Sequence, residues 1–201
     1  MTDSHPARPL RSAAPFLAVG LLAVFLQLTV DPGVLRWERH AIGAEPWRIL
    51  SAHLVHHGWV HLVLNLAGLA LAWALFGAAL RTLGWVVVML ACALGVAMGL
   101  QAFSPEVAWY AGLSGVLHGL LVAGALLSLR SFPGVAGAVL AVLAIKVASE
   151  QLGAGSDGVE RLISAPVITD AHLYGTLTGL ACGLLAWRPF KPSSRGRPTP
   201  G

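Results

Sequence analysis

The chain has 201 residues, of which 56% are hydrophobic and only 11% are Asp, Glu, Lys or Arg. With a mean hydropathy of +0.74, this composition excludes a disordered chain and a soluble globular domain, in which about a quarter of residues are charged. The net charge of +4 must be placed relative to a membrane before it is read as a nucleic-acid signal.

A spanning helix takes roughly 20 residues, and six apolar runs approach that length. In chain order they are Ala13–Val30, Trp59–Leu80, Leu83–Phe103, Gly112–Leu129, Val135–Leu152 and Ala171–Trp187. The first has a basic flank, Arg8 and Arg11, but no small-x-small cleavage pattern follows it, so it reads as a retained span. The expected architecture is an all-α membrane protein with six transmembrane helices over residues 13–187. A cytoplasmic segment, 1–12, precedes it, and a basic cytoplasmic tail, 188–201, follows.

Cytoplasmic segments are enriched in Lys and Arg. With the N-terminus inside, Arg8, Arg11, Arg81, Arg130, Arg188, Lys191, Arg195 and Arg197 fall inside, against Arg36, Arg39, Arg48 and Arg161 outside. Both termini are therefore expected in the cytoplasm, as an even number of spans requires. The basic pI becomes an orientation signal and gives no support for nucleic-acid binding. The first outer loop, 31–58, carries Trp37 and Trp47, expected at the membrane interface. Cys92 and Cys182 lie in apolar runs and read as packing residues, with no disulfide and no thiolate metal site.

Small residues recur at helical spacing. Gly95/Gly99 read as packing. Gly115/Gly119 and the row Gly175, Gly179, Gly183 make the fourth and sixth spans a tight pair.

Polar groups at membrane depth are functional candidates because they are expensive there. Three clusters carry them. On the second span, His61 and Asn65 are four apart and share a helix face, as do Ser114 and His118 on the fourth. His172 opens the sixth. A serine hydroxyl becomes a nucleophile when a base takes its proton, and a histidine does this near neutral pH. The oxyanion that follows needs positioned donors, which His61 and Asn65 can supply. Lys146 and Glu150, one turn apart on the fifth span, can pair and so lower the cost of their charges. They read as a structural ion pair or as a contact to the substrate. A rival reading gives His53, His56, His57 and His61 to a metal site or a transporter, although no carboxylate lies in that cluster.

Taken together, the clusters resemble the rhomboid intramembrane serine proteases. His56-x4-His61-x3-Asn65 is similar to the family's second-helix motif. Gly112-Leu-Ser114-Gly115 is similar to its nucleophile motif, and Ala171-His172-x-x-Gly175 to its sixth-helix motif. Trp47-Arg48 resembles a pair common in its first outer loop. The resemblance covers Ala13 to Trp187. It implies a Ser–His dyad with Ser114 as nucleophile and His172 as general base. It also implies an oxyanion hole from His61, Asn65 and the Ser114 N–H. His56, Gly112 and Gly115 would support the site. His118 stands where many rhomboids carry a tyrosine stacked on the catalytic histidine, and is expected to play a supporting part.

Ser114-Gly-Val-Leu-His-Gly119, Asp170-Ala-His-Leu-Tyr-Gly175 and Lys146-x3-Glu150 resemble the rhombosortase branch. That implies membrane-anchored protein substrates ending in Gly-Gly, a hydrophobic helix and a basic tail. A bacterial inner membrane is expected, and with both termini inside, His61, Ser114 and His172 lie toward the outer side of their helices, so the site is expected to face outward. No metal or other cofactor is expected. A catalytically silent, helix-binding rhomboid-like protein is the other alternative.

Overall fold

The computed structural model describes residues 8–154 and 156–187. The proposed basic tail, with Arg188, Lys191, Arg195 and Arg197, lies outside the described residues. The long helices are α1 (Arg8–Thr29), α4 (Gly58–Phe76), α5 (Thr82–Phe103), α6 (Ser114–Ser128), α7 (Pro133–Gln151) and α9 (Thr169–Ala186). Short helices α2 (Pro32–Leu35), α3 (Arg48–Ser51) and α8 (Asp157–Ile163) lie in the connections. Among the described residues the first long helix begins at Arg8, earlier than expected from hydropathy, with Pro9 in its first turn and Pro15 inside it.

Four of these helices are long and apolar enough to cross a membrane: α1, α4, α5 and α7. Their outer faces expose Leu21, Phe25, Leu83, Val87 and Ile145, a distribution that suits lipid and not water. In contrast, α6 is shorter and enclosed on most sides, with Gly115 to Leu120 buried without a break. The protein is a mostly helical, multi-pass membrane protein.

Helix ends follow local chemistry. Ser104-Pro105 stops α5. Pro133 occupies the first turn of α7, where its missing N–H is harmless. Gly153, at φ +78°, turns the chain just after α7. Both cysteines are free.

The small-residue rows hold α6 against α9. A methyl group at Gly175 would overlap the Gly115 carbonyl, and one at Gly179 would overlap that of Gly119. Gly183 packs on Ala123 and Leu126, while Gly95 and Gly99 make room for Thr178 and Tyr174. The backbones of α6 and α9 therefore touch, which is what brings Ser114 and His172 within reach of each other.

The all-α expectation needs one correction. The α1–α4 and α5–α6 connections pair through a two-residue antiparallel ladder, β1 (Trp37–Glu38) with β2 (Trp109–Tyr110). It satisfies backbone groups that helices cannot. Trp37 is also corrected: it is 1% exposed and packs with Leu100 and Tyr110 inside the protein, not at an interface. Trp47 is exposed.

Two arginines, Arg39 and Arg48, build this loop. The guanidinium of Arg39 donates to the carbonyls of Leu100, Gln101, Ser104 and Val107, capping the C-terminal end of α5. Arg48 pairs with Glu45 and donates to the carbonyls of Gly33 and Arg36. Both arginines thus have a structural part in this loop.

Candidate active site

The three clusters converge on one cavity of about 480 Å³. His61 and Asn65 from α4, Ser114 and His118 from α6, Lys146 and Glu150 from α7 and His172 from α9 all line it. The remaining wall is largely apolar, including Leu64, Leu117, Leu143 and Val167.

Ser114 is the first residue of α6, presented by a tight approach. Gly112 sits at φ +123°, a region open to glycine, and a side chain there would strike the His61 ring. The Gly112 N–H donates to the Ala52 carbonyl, and Tyr110 Oη–H donates to the Gly112 carbonyl at 2.6 Å. Both ends of this glycine are therefore fixed. Ser114 thus lies at a helix N-terminus, where the first N–H groups have no partner within the helix.

His172 Nε2 lies 3.0 Å from Ser114 Oγ. Its other nitrogen, Nδ1, lies 2.9 Å from Glu150 Oε2. The second carboxylate oxygen of Glu150 takes the Lys146 ammonium. The Lys146–Glu150 pair is thus present, and Glu150 also contacts His172, a link that linear spacing does not reveal.

His118 occupies the expected stacked position. Its ring lies on that of His172 with centroids 4.2 Å apart. Its Nδ1 is 2.8 Å from the Ser114 carbonyl, so Nδ1 carries a proton, and among the described residues the buried Nε2 meets no hydrogen-bond partner.

On α4, the His57 N–H donates to His61 Nδ1 at 3.3 Å. The His61 proton therefore sits on Nε2, available as a donor. Asn65 Nδ2 gives one hydrogen to the His61 carbonyl at 2.8 Å and keeps a second. His56 is fully buried below, edge-on to His61 at 5.1 Å.

The four loop and α4 histidines do not gather as ligands. His53 Nε2 is spent on the Ala93 carbonyl at 3.0 Å. Burial pushes the His53 imidazole down to about 4 and that of His56 down to about 3, the latter helped by neighbouring His61 and His57. Among the described residues, the donor atoms that do gather, within 4.8 Å, belong to His118, Glu150 and His172. Two of these three already share a hydrogen bond. The donor set that gathers is thus a different one from the His53, His56, His57 and His61 cluster of the sequence.

Two supports escaped the sequence reading. Tyr110 reads as a loop aromatic until the ladder places it under Gly112. Asp170 accepts from Ser104 Oγ, and that hydroxyl lies 2.8 Å from Tyr174 Oη. This ties the first turn of α9, which carries His172, to the end of α5. Behind the cavity, Glu160 Oε1 receives Ser156 Oγ–H and the Val167 N–H, fixing the connection from α7 to α9.

No curated protein matches the chain. The rhomboid domain matches residues 43–189, a stretch that contains every side chain lining this cavity. The rhomboid domain defines a family of intramembrane serine proteases, and this chain belongs to that rhomboid family.

Proposed function

We propose that the protein is an intramembrane serine endopeptidase that cleaves the membrane anchors of exported proteins. The observation that carries this reading is the 3.0 Å contact between Ser114 Oγ and His172 Nε2 inside the cavity. In the proposed reaction Ser114 Oγ attacks the scissile carbonyl carbon while its proton passes to His172 Nε2. The oxyanion receives His61 Nε2–H, the second Asn65 amide hydrogen and the Ser114 N–H. His172 then gives its proton to the leaving amine as the C–N bond breaks. Water, activated by the same imidazole, releases the acyl group.

The preferred substrates carry a C-terminal Gly-Gly, a hydrophobic helix and a basic tail. The rhombosortase-like strings at Ser114–Gly119, Lys146–Glu150 and Asp170–Gly175 support that preference. The chain is placed in a bacterial inner membrane with six spans, α6 and α9 included. Both termini then lie in the cytoplasm and the cavity opens outward. The arginine distribution supports this orientation.

The test compares C-terminal masses of exported proteins from cells carrying wild type or Ser114→Ala. Loss of the tail beyond the Gly-Gly in wild type alone is expected. Identical masses in both strains would remove the proposal.

A further inference from the structure

The reaction above uses one nitrogen of His172. The other is held by a carboxylate, where the family resemblance implies a two-residue dyad. We propose that Glu150 completes a Ser114–His172–Glu150 triad, as a positioning residue that fixes the tautomer and orientation of His172, with Lys146 holding the carboxylate ionised. The inference rests on the serine-protease reading.

Proton placement carries the argument. An ionised carboxylate can only accept. Facing Glu150 Oε2 at 2.9 Å, His172 Nδ1 must then bear the hydrogen. Nε2 is left as a lone pair opposite the Ser114 hydroxyl, the form a general base requires. A neutral Glu150 would instead donate to Nδ1 and put the ring proton on Nε2, pointing at Ser114 with no capacity to accept. The state of Glu150 therefore decides whether His172 can act.

Glu150 is in a place where its charge needs help. Its side chain is 3% exposed and that of His172 5%. An isolated carboxylate so enclosed at membrane depth neutralises. The Lys146 ammonium on the opposite oxygen removes that drive. One oxygen of Glu150 thus serves the lysine and the other serves the histidine.

A helix-stapling role explains the pair poorly. Glutamate stands C-terminal to its lysine, the weaker order for an i, i+4 pair. It also sits in the last turn of α7, where the helix dipole disfavours an anion. The arrangement is costly for α7 alone but correct for delivering a carboxylate to α9. During acylation the Ser114 proton moves to Nε2 as the Oγ–C bond forms. The imidazolium keeps its Nδ1–H on Glu150, which stays ionised, and Nε2–H later leaves with the amine. No proton is transferred to Glu150.

The test uses full-length protein in detergent and a fluorophosphonate probe that reports Ser114 reactivity. Glu150→Gln should lower the maximal labelling rate on the order of 10⁴-fold, with the probe's half-saturating concentration and the thermal midpoint unchanged. Glu150→Asp, which restores a carboxylate, should label measurably faster than Glu150→Gln. Wild-type labelling by Glu150→Gln, or a loss matched by a fall in thermal midpoint and not relieved by Glu150→Asp, overturns the inference. Should Glu150→Gln fail to insert, ¹⁵N spectra of the histidines in wild type decide. A neutral His172 protonated at Nδ1 is expected, and a proton on Nε2 overturns the triad. Equal labelling of Ser114→Ala would instead sink the protease reading itself.

Discussion

The imidazole of His118 lies nearly parallel to that of His172, with an interplanar angle of 15°. Both rings are buried, and His118 is anchored to the Ser114 carbonyl. The stack limits rotation of His172 about its side-chain bonds while leaving both of its nitrogens free for Ser114 and Glu150.

If the role of His118 is the stack and not its titration, His118→Phe should keep catalysis within about tenfold of wild type, since a stacked aromatic pair contributes about 0.5–1.5 kcal/mol. His118→Ala should lose more, because a cavity then opens beside His172. Steady-state cleavage of a transmembrane peptide checks this. Equal loss in both variants would assign the imidazole itself an essential part.

The contact between α6 and α9 predicts a steep cost for adding a single methyl group. Gly175→Ala drives a Cβ into the Gly115 backbone, which cannot rotate away. A loss of about 3 kcal/mol is expected. Gly137→Ala on α7 meets nothing within 4 Å and should be neutral or slightly stabilising. Thermal unfolding in detergent separates the two.

Stability should fall in mild acid. His53 and His56, in the loop before α4, are held neutral by burial, with values of about 4 and 3. Unfolded, both titrate near 6.5. Between those values the unfolded state binds more protons, so stability is full above about pH 6.5 and declines as pH drops toward 4. His56→Phe should flatten this slope. At pH 8, where His56 is neutral folded and unfolded, it should change stability little, since among the described residues neither nitrogen meets a hydrogen-bond partner of good geometry. Thermal midpoints from pH 4 to 8 measure both effects.

Much of this was legible in the sequence. Helical spacing placed His61 with Asn65 and Ser114 with His118, and glycine rows predicted the α6–α9 pair that carries Ser114 to His172. The loops were less readable. Arg39, Tyr110 and Trp37 act through partners about sixty to seventy residues away, and loop residues have no period from which to infer such partners. Glu150 shows the limit most clearly. Its spacing revealed Lys146, four residues back, but not His172, twenty-two residues on, because that contact depends on how α7 leans against α9.

The most direct test of the central claim is cleavage in proteoliposomes. Purified wild type, Ser114→Ala and His172→Ala are each mixed with a peptide bearing Gly-Gly, an apolar helix and a basic tail, and products are read by mass. Wild type should cut once near the Gly-Gly, while both variants insert normally and yield no product. Full cleavage by Ser114→Ala would contradict the account.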